Sequence, residues 1–114
     1  GYATAHVGKW HLSEDTTYYP QHQGFERTVG VAPAGSPPGF FYPYKSYFTL
    51  EDLRKTGRPG EYLTDRLTDE TLRILDDWKG RTFFLNVAHY APHIPLQARP
   101  DLLAKYEAKA QTVP

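Results

Sequence analysis

Cysteine and methionine are both absent from the 114 residues. Without cysteine the chain holds no disulfide, no thiolate nucleophile and no zinc–thiolate cluster. Net charge is missing too, since 13 Lys and Arg balance 13 Asp and Glu. That balance argues against a bulk electrostatic partner such as a nucleic acid or an anionic membrane. No apolar run approaches the roughly 20 residues that a bilayer-spanning helix needs. No signal peptide, internal repeat or low-complexity segment is visible. Methionine is missing even at position 1, and the chain opens at Gly1-Tyr2 on the threshold of a strand. We therefore expect a piece of a longer protein.

What is present is aromatic and broken by turns. Nine Tyr, six Phe and two Trp accompany ten Pro and nine Gly, which implies much irregular backbone. Residues Tyr2 to Val7 read as a short strand of small residues, suited to the middle of a sheet. From Ser13 to about Glu61 the pattern dissolves under repeated Gly and Pro. A loop this long inside a domain is unusual and implies a function or a packing partner. Its middle, Phe40 to Phe48, is too aromatic for a free linker, and is expected to pack on the rest of a longer protein.

A helix follows, with Thr64 and Asp65 expected to cap it. Leu67, Thr71, Ile74, Leu75 and Trp78 fall on one stripe. Arg66 with Glu70, and Asp69 with Arg73, are spaced to pair on its wet side. Gly80 stops it. Thr82 to Ala88 then reads as a strand buried on both faces. Pro100 opens a last short helix from Asp101 to about Ala110, with Leu102, Leu103 and Tyr106 as its apolar side. Helix, glycine turn and buried strand predict an α/β fold with a parallel sheet covered by helices.

In open α/β sheets, ligands bind beyond the carboxyl ends of the strands. One readable end carries Gly8-Lys9-Trp10-His11, and the other carries His89 and His93. If the first strand ran on through this stretch, alternation would point Lys9 and His11 one way and Trp10 the other. Lysine supplies a compact positive charge. Histidine donates a hydrogen bond and moves a proton near neutral pH. Were the two strands parallel neighbours, Lys9, His11 and His93 would converge on one anion. The residue types alone leave sulfate, phosphate and carboxylate open. Other histidines read as structural or solvated: His6 as a hydrogen-bonded core residue, and His22 as an exposed loop residue. Pro92 spoils a helical metal pair between His89 and His93. Asp69, Glu70, Asp76 and Asp77 read as a wet helix face rather than a metal cluster.

Several of these stretches together resemble the sulfatase family, in the family's order and over most of the chain. Gly1-Tyr2-Ala3-Thr4 running into Gly8-Lys9-Trp10-His11-Leu12 is similar to its second signature. Pro20 to Glu26 resembles the segment that follows, and Tyr62 to Glu70 the helix before the next core strand. Phe83-Phe84-Leu85 through Ala91-Pro92-His93-Ile94-Pro95-Leu96-Gln97 resembles the family's Phe-Phe-Leu strand and Ala-Pro-His-Thr-Pro-Leu loop. Residues of about 29–60 fall where sulfatases vary, and are expected to help select the substrate.

The resemblance implies part of an alkaline-phosphatase-like α/β sandwich, so that residues 1–114 are expected to be a partial catalytic domain. It implies sulfuric ester hydrolysis by the longer protein. Lys9 would hold the sulfate and contact the nucleophile, and His11 would assist breakdown of a covalent sulfate intermediate. His93 would hydrogen-bond the sulfate and protonate the leaving alcohol. A formylglycine nucleophile and a calcium ion are implied as well. The Cys/Ser-x-Pro/Ala-x-Arg motif and the acidic calcium ligands have no counterpart in these residues. The expected partner is a sulfate ester, with sulfated glycans among the candidates, and the family suggests a secreted, periplasmic or lysosomal setting. A phosphodiesterase or phosphonate hydrolase of the same superfamily, or a non-catalytic relative that binds sulfated glycans, are the alternative readings.

Overall fold

The computed structural model describes residues 1–112. In chain order it contains β1 (Ala3–Gly8), β2 (Arg27–Val29), α1 (Glu51–Arg54), α2 (Leu63–Asp77), β3 (Phe83–Ala88) and α3 (Pro100–Ala110). Two 3-10 turns, Thr16–Tyr18 and Pro20–His22, lie between β1 and β2.

The sheet has the order β2-β1-β3, and both pairings are parallel. The small-residue run is therefore the central strand, as its composition suggests. Ala3, Ala5 and Val7 share one core with Leu63, Leu67, Ile74 and Trp78 of the α2 region. Small side chains on that face let the helix lie close, and each fully buried Leu adds about 1.5–3 kcal/mol. Beneath the sheet, the Thr4 hydroxyl donates to the Gly24 carbonyl at 2.7 Å and accepts from the Glu26 N–H at 3.0 Å. This holds Phe25 against His6 and Phe84.

Strand β2 was not legible beforehand, because three residues, Arg27-Thr28-Val29, carry too little periodicity. The loop after it is not idle. Phe40, Tyr44, Leu50 and Leu53 are buried in the core that α2 covers. Most of the aromatic stretch thus packs within this chain, correcting the expectation that it packs on other parts of the protein, while Tyr47 stays 79% exposed. Its bridge between Phe41 and Tyr62 leads into α2.

Several local expectations change. Helix α2 begins at Leu63, and Tyr62 occupies the cap position without a side-chain hydrogen bond. Its first turn is satisfied instead by the loop: Leu63 N–H donates to the Phe40 carbonyl at 2.7 Å. Thr64 and Asp65 sit inside the first turn, where Asp65 suits the dipole and pairs with Arg99 at 2.9 Å. Arg66 is not on the wet side but only 4% exposed. It binds Glu61, Glu70 and Thr56 together. Arg73 pairs with Glu70 rather than Asp69. Strand β3 is an edge strand in this chain, with Phe84 55% exposed, so it is not covered on both faces. The apolar side of α3 is likewise open, with Leu103 49% exposed.

Candidate functional site

The site is set by how β1 and β3 end. Their register pairs Gly8 with Ala88. Gly8 has φ +95°, and a Cβ there would lie 2.2 Å from the Ala88 carbonyl oxygen. Only glycine permits this approach. The next N–H, that of Lys9, donates to the same carbonyl at 2.7 Å. Lys9 and the His89–His93 stretch therefore leave the sheet side by side at one carboxyl edge, as the parallel-neighbour condition required.

Strand alternation does not extend past this point. β1 stops at Gly8, and His11 turns again with φ +50°. The directions of Lys9 and His11 follow from these two left-handed residues, which corrects the extended-strand expectation. Trp10 anchors the turn from below. It packs edge-on to His6 at 5.0 Å and to Phe25 at 5.9 Å, and its indole N–H donates to the Tyr18 carbonyl at 2.9 Å. Lys9 is left half-buried and His11 exposed. The His11 ring lies against Gly35, where a Cβ would come within 2.2 Å of Nδ1.

His6 is the core histidine expected. Its Nε2 faces the Gly8 carbonyl at 3.2 Å, and its Nδ1 faces the Asn86 amide nitrogen at 2.9 Å. With Nε2–H donating and Nδ1 accepting, the neutral ring satisfies both contacts. Burial pushes its pKa below the ordinary value of 6.5, against the opposing pull of the Gly8 and Lys9 backbone. His22 and His89 are exposed.

The loop after β3 is pinned at three points. The buried Tyr90 hydroxyl donates to the Gly30 carbonyl at 2.8 Å, at the end of β2. Burial raises the Tyr90 phenol above its ordinary range, so it stays a donor. The His93 N–H donates to the Tyr90 carbonyl at 2.9 Å. Gln97 accepts from the Phe40 N–H through Oε1 at 2.7 Å, and from the Tyr62 hydroxyl through its carbonyl at 3.0 Å. His93 is exposed, with Nδ1 3.0 Å from the Ile94 carbonyl. That contact makes Nδ1 the donor and leaves Nε2 as the outward-facing nitrogen. A mainly apolar cavity of about 400 Å³ opens beside it, lined by Phe40, Tyr62, Leu96 and Leu103.

Lys9, His11 and His93 thus stand on adjoining strand ends, two of them exposed. Sequence reasoning missed Gly35, Tyr90 and Gln97, whose roles come from contacts across 24 to 60 residues of chain. A signal for Asn86 was present: a polar residue in an apolar strand, opposite His6 in the register. Among the described residues, no group of three or more His, Cys, Asp or Glu side chains is placed to hold a metal. No helix among the described residues is long and apolar enough to cross a membrane.

Comparison with known proteins identifies the family. The family model described as Sulfatase matches residues 1–114. The uncharacterized sulfatase YdeN of Escherichia coli (strain K12) is 34% identical, over 83% of this chain and 20% of that protein. Arylsulfatase G of Mus musculus is 38% identical, over 90% of this chain and 25% of that protein. The arylsulfatase of Klebsiella aerogenes is 25% identical, over 96% of this chain and 25% of that protein. The chain spans a fifth to a quarter of the length of these relatives. With its parallel sheet, its Lys9–His11 turn and a match along its whole length, the chain belongs to the sulfatase family.

Proposed function

We propose that the full-length protein hydrolyses a sulfate ester, and that this chain supplies one wall of the reaction site. The observation that carries the proposal is the parallel pairing of β1 with β3, which starts the Lys9–His11 turn and the His93 loop from neighbouring positions. Lys9, half-buried, offsets charge on the sulfate oxygens. His93 presents Nε2 outward; as imidazolium it donates to the ester and protonates the departing alcohol oxygen. The cavity beside His93 suits an apolar part of that alcohol. His11 assists breakdown of the sulfated enzyme. The nucleophile, a formylglycine by family resemblance, and the ligands of a calcium ion belong to other parts of the protein.

The names of the relatives, sulfatases and arylsulfatases, favour sulfate over phosphodiester or phosphonate. The test is Lys9→Ala in the full-length protein with an aryl sulfate as substrate. A charge contact of this kind is worth about 10²–10³ in kcat. Near-normal turnover would remove Lys9 from the mechanism. A panel of aryl sulfate, phosphodiester and phosphonate esters separates the hydrolase readings. Binding of sulfated glycan without turnover of any of them would favour the non-catalytic one.

A further inference from the structure

We infer that the segment Gly35–Phe40 is a positioning element that sets His11 and the His93 loop relative to one another. This rests on the proposed reaction and assigns to part of the variable loop a role other than substrate selection. At one end, buried Gly35 lies against the His11 ring, with Nδ1, Cε1 and Cγ at 2.2, 2.6 and 2.7 Å from where a Cβ would stand. Any side chain at 35 must push the ring away.

At the other end, the Phe40 N–H donates to Gln97 Oε1, four residues beyond His93. The Phe40 carbonyl accepts from the Leu63 N–H, so this end is tied to the start of α2. Tyr62 secures the same Gln97 through its carbonyl. Between the ends, Pro37 and Pro38 are buried and lack N–H groups. Their fixed φ makes the connection stiff. Ser36, Pro37 and Pro38 also face Ile94 and Pro95 across a shared cleft, directly after His93. One short rigid strap thus touches His11 at one end and the His93 loop along its length. Neither histidine is in the strap, so Gly35 and Gln97 act through them as positioning residues.

The experiment compares Gly35→Ala, Gln97→Leu and Gln97→Glu in the full-length protein. Three quantities are read: the Cε1–H NMR resonances of His11 and His93, kcat and KM for an aryl sulfate, and Tm. Gly35→Ala is expected to move the His11 resonance and lower kcat about 100-fold, the scale of a 1 Å misplacement. Gln97→Leu is expected to move the His93 resonance and lower kcat roughly tenfold, the scale of one lost hydrogen bond. Gln97→Glu keeps an acceptor for the Phe40 N–H and is expected to restore most of the wild-type kcat. If Gly35→Ala does not fold, the Gln97 pair decides. An unmoved His11 resonance in Gly35→Ala overturns the inference. So does a Gln97→Leu variant that loses only Tm while kcat and the His93 resonance hold. If the wild type turns over no sulfate ester, the proposed reaction fails, and the resonances still decide whether the strap positions the histidines.

Discussion

Gly8→Ala in the full-length protein is the sharpest probe of the strand-end geometry. The new Cβ would stand 2.2 Å from the Ala88 carbonyl oxygen and 3.0 Å from its carbon. Both are backbone atoms, so no rotamer change relieves the contact. The residue is also held at φ +95°, which costs an L-residue about 1–2 kcal/mol. Relief requires the ends of β1 and β3 to part by about 1 Å, enough to cost roughly 10²-fold in rate if reacting groups move with them. Parting also stretches the Lys9 N–H bond to Ala88 O, now 2.7 Å. An unmade buried bond adds about 1–3 kcal/mol. The combined loss is about 2–5 kcal/mol, a large share of a typical folding stability of about 5–15 kcal/mol. Urea unfolding measures the stability, and aryl sulfate turnover measures the displacement of Lys9. Wild-type stability together with wild-type kcat would refute the account of Gly8 as the residue that lets the two strand ends meet.

Other perturbations probe the supports around the site. Arg66→Met removes the cation shared by Glu61 and Glu70, 16% and 15% exposed, and leaves only Arg73 on Glu70. A loss of about 3–5 kcal/mol is expected, and one below 1 kcal/mol in urea unfolding would contradict a buried network there. His6 has a folded pKa below 6.5 because burial favours its neutral ring. The unfolded chain then binds the extra proton, so His6's contribution is complete above about pH 6.5 and is lost as pH falls toward the folded value. His6→Gln should flatten that limb of the stability–pH profile, and an unchanged limb would assign it to other groups. Residues 1–114 purified alone are expected to hydrolyse no aryl sulfate, since the nucleophile motif is missing from the sequence and no acidic metal-binding set stands among the described residues. Measurable turnover by that fragment would sink the assignment of the nucleophile to other parts of the protein.

How much was legible in the chain differs with the range of the interaction. Strand β1, helix α2 and strand β3 were readable because their side-chain periods are local, and α2's stripe of Leu67, Ile74 and Trp78 is indeed buried. Lys9, His11 and His93 were readable as candidates because strand ends and proline-stiffened loops mark where ligands bind. Burial was misjudged where it depends on neighbours. Arg66 looked solvated by spacing alone, yet Glu61 and Thr56, brought from the preceding loop, enclose it. Phe84 looked fully buried by composition, yet β3 lies at the sheet's edge in this chain.

The amino-acid sequence by itself determined the order of β1, α2, β3 and α3, the candidate anion-binding residues and the glycine at the end of β1. It did so because helix and strand periods, turn residues and ionisable groups act over a few positions of chain. Only the tertiary structure decided that β1 pairs in parallel with both β2 and β3. It alone seated the His11 ring on Gly35, and Gln97 beneath the Phe40 N–H. Such contacts join residues 24 and 57 positions apart. They depend on how the long loop closes over α2, and no local pattern encodes that closure.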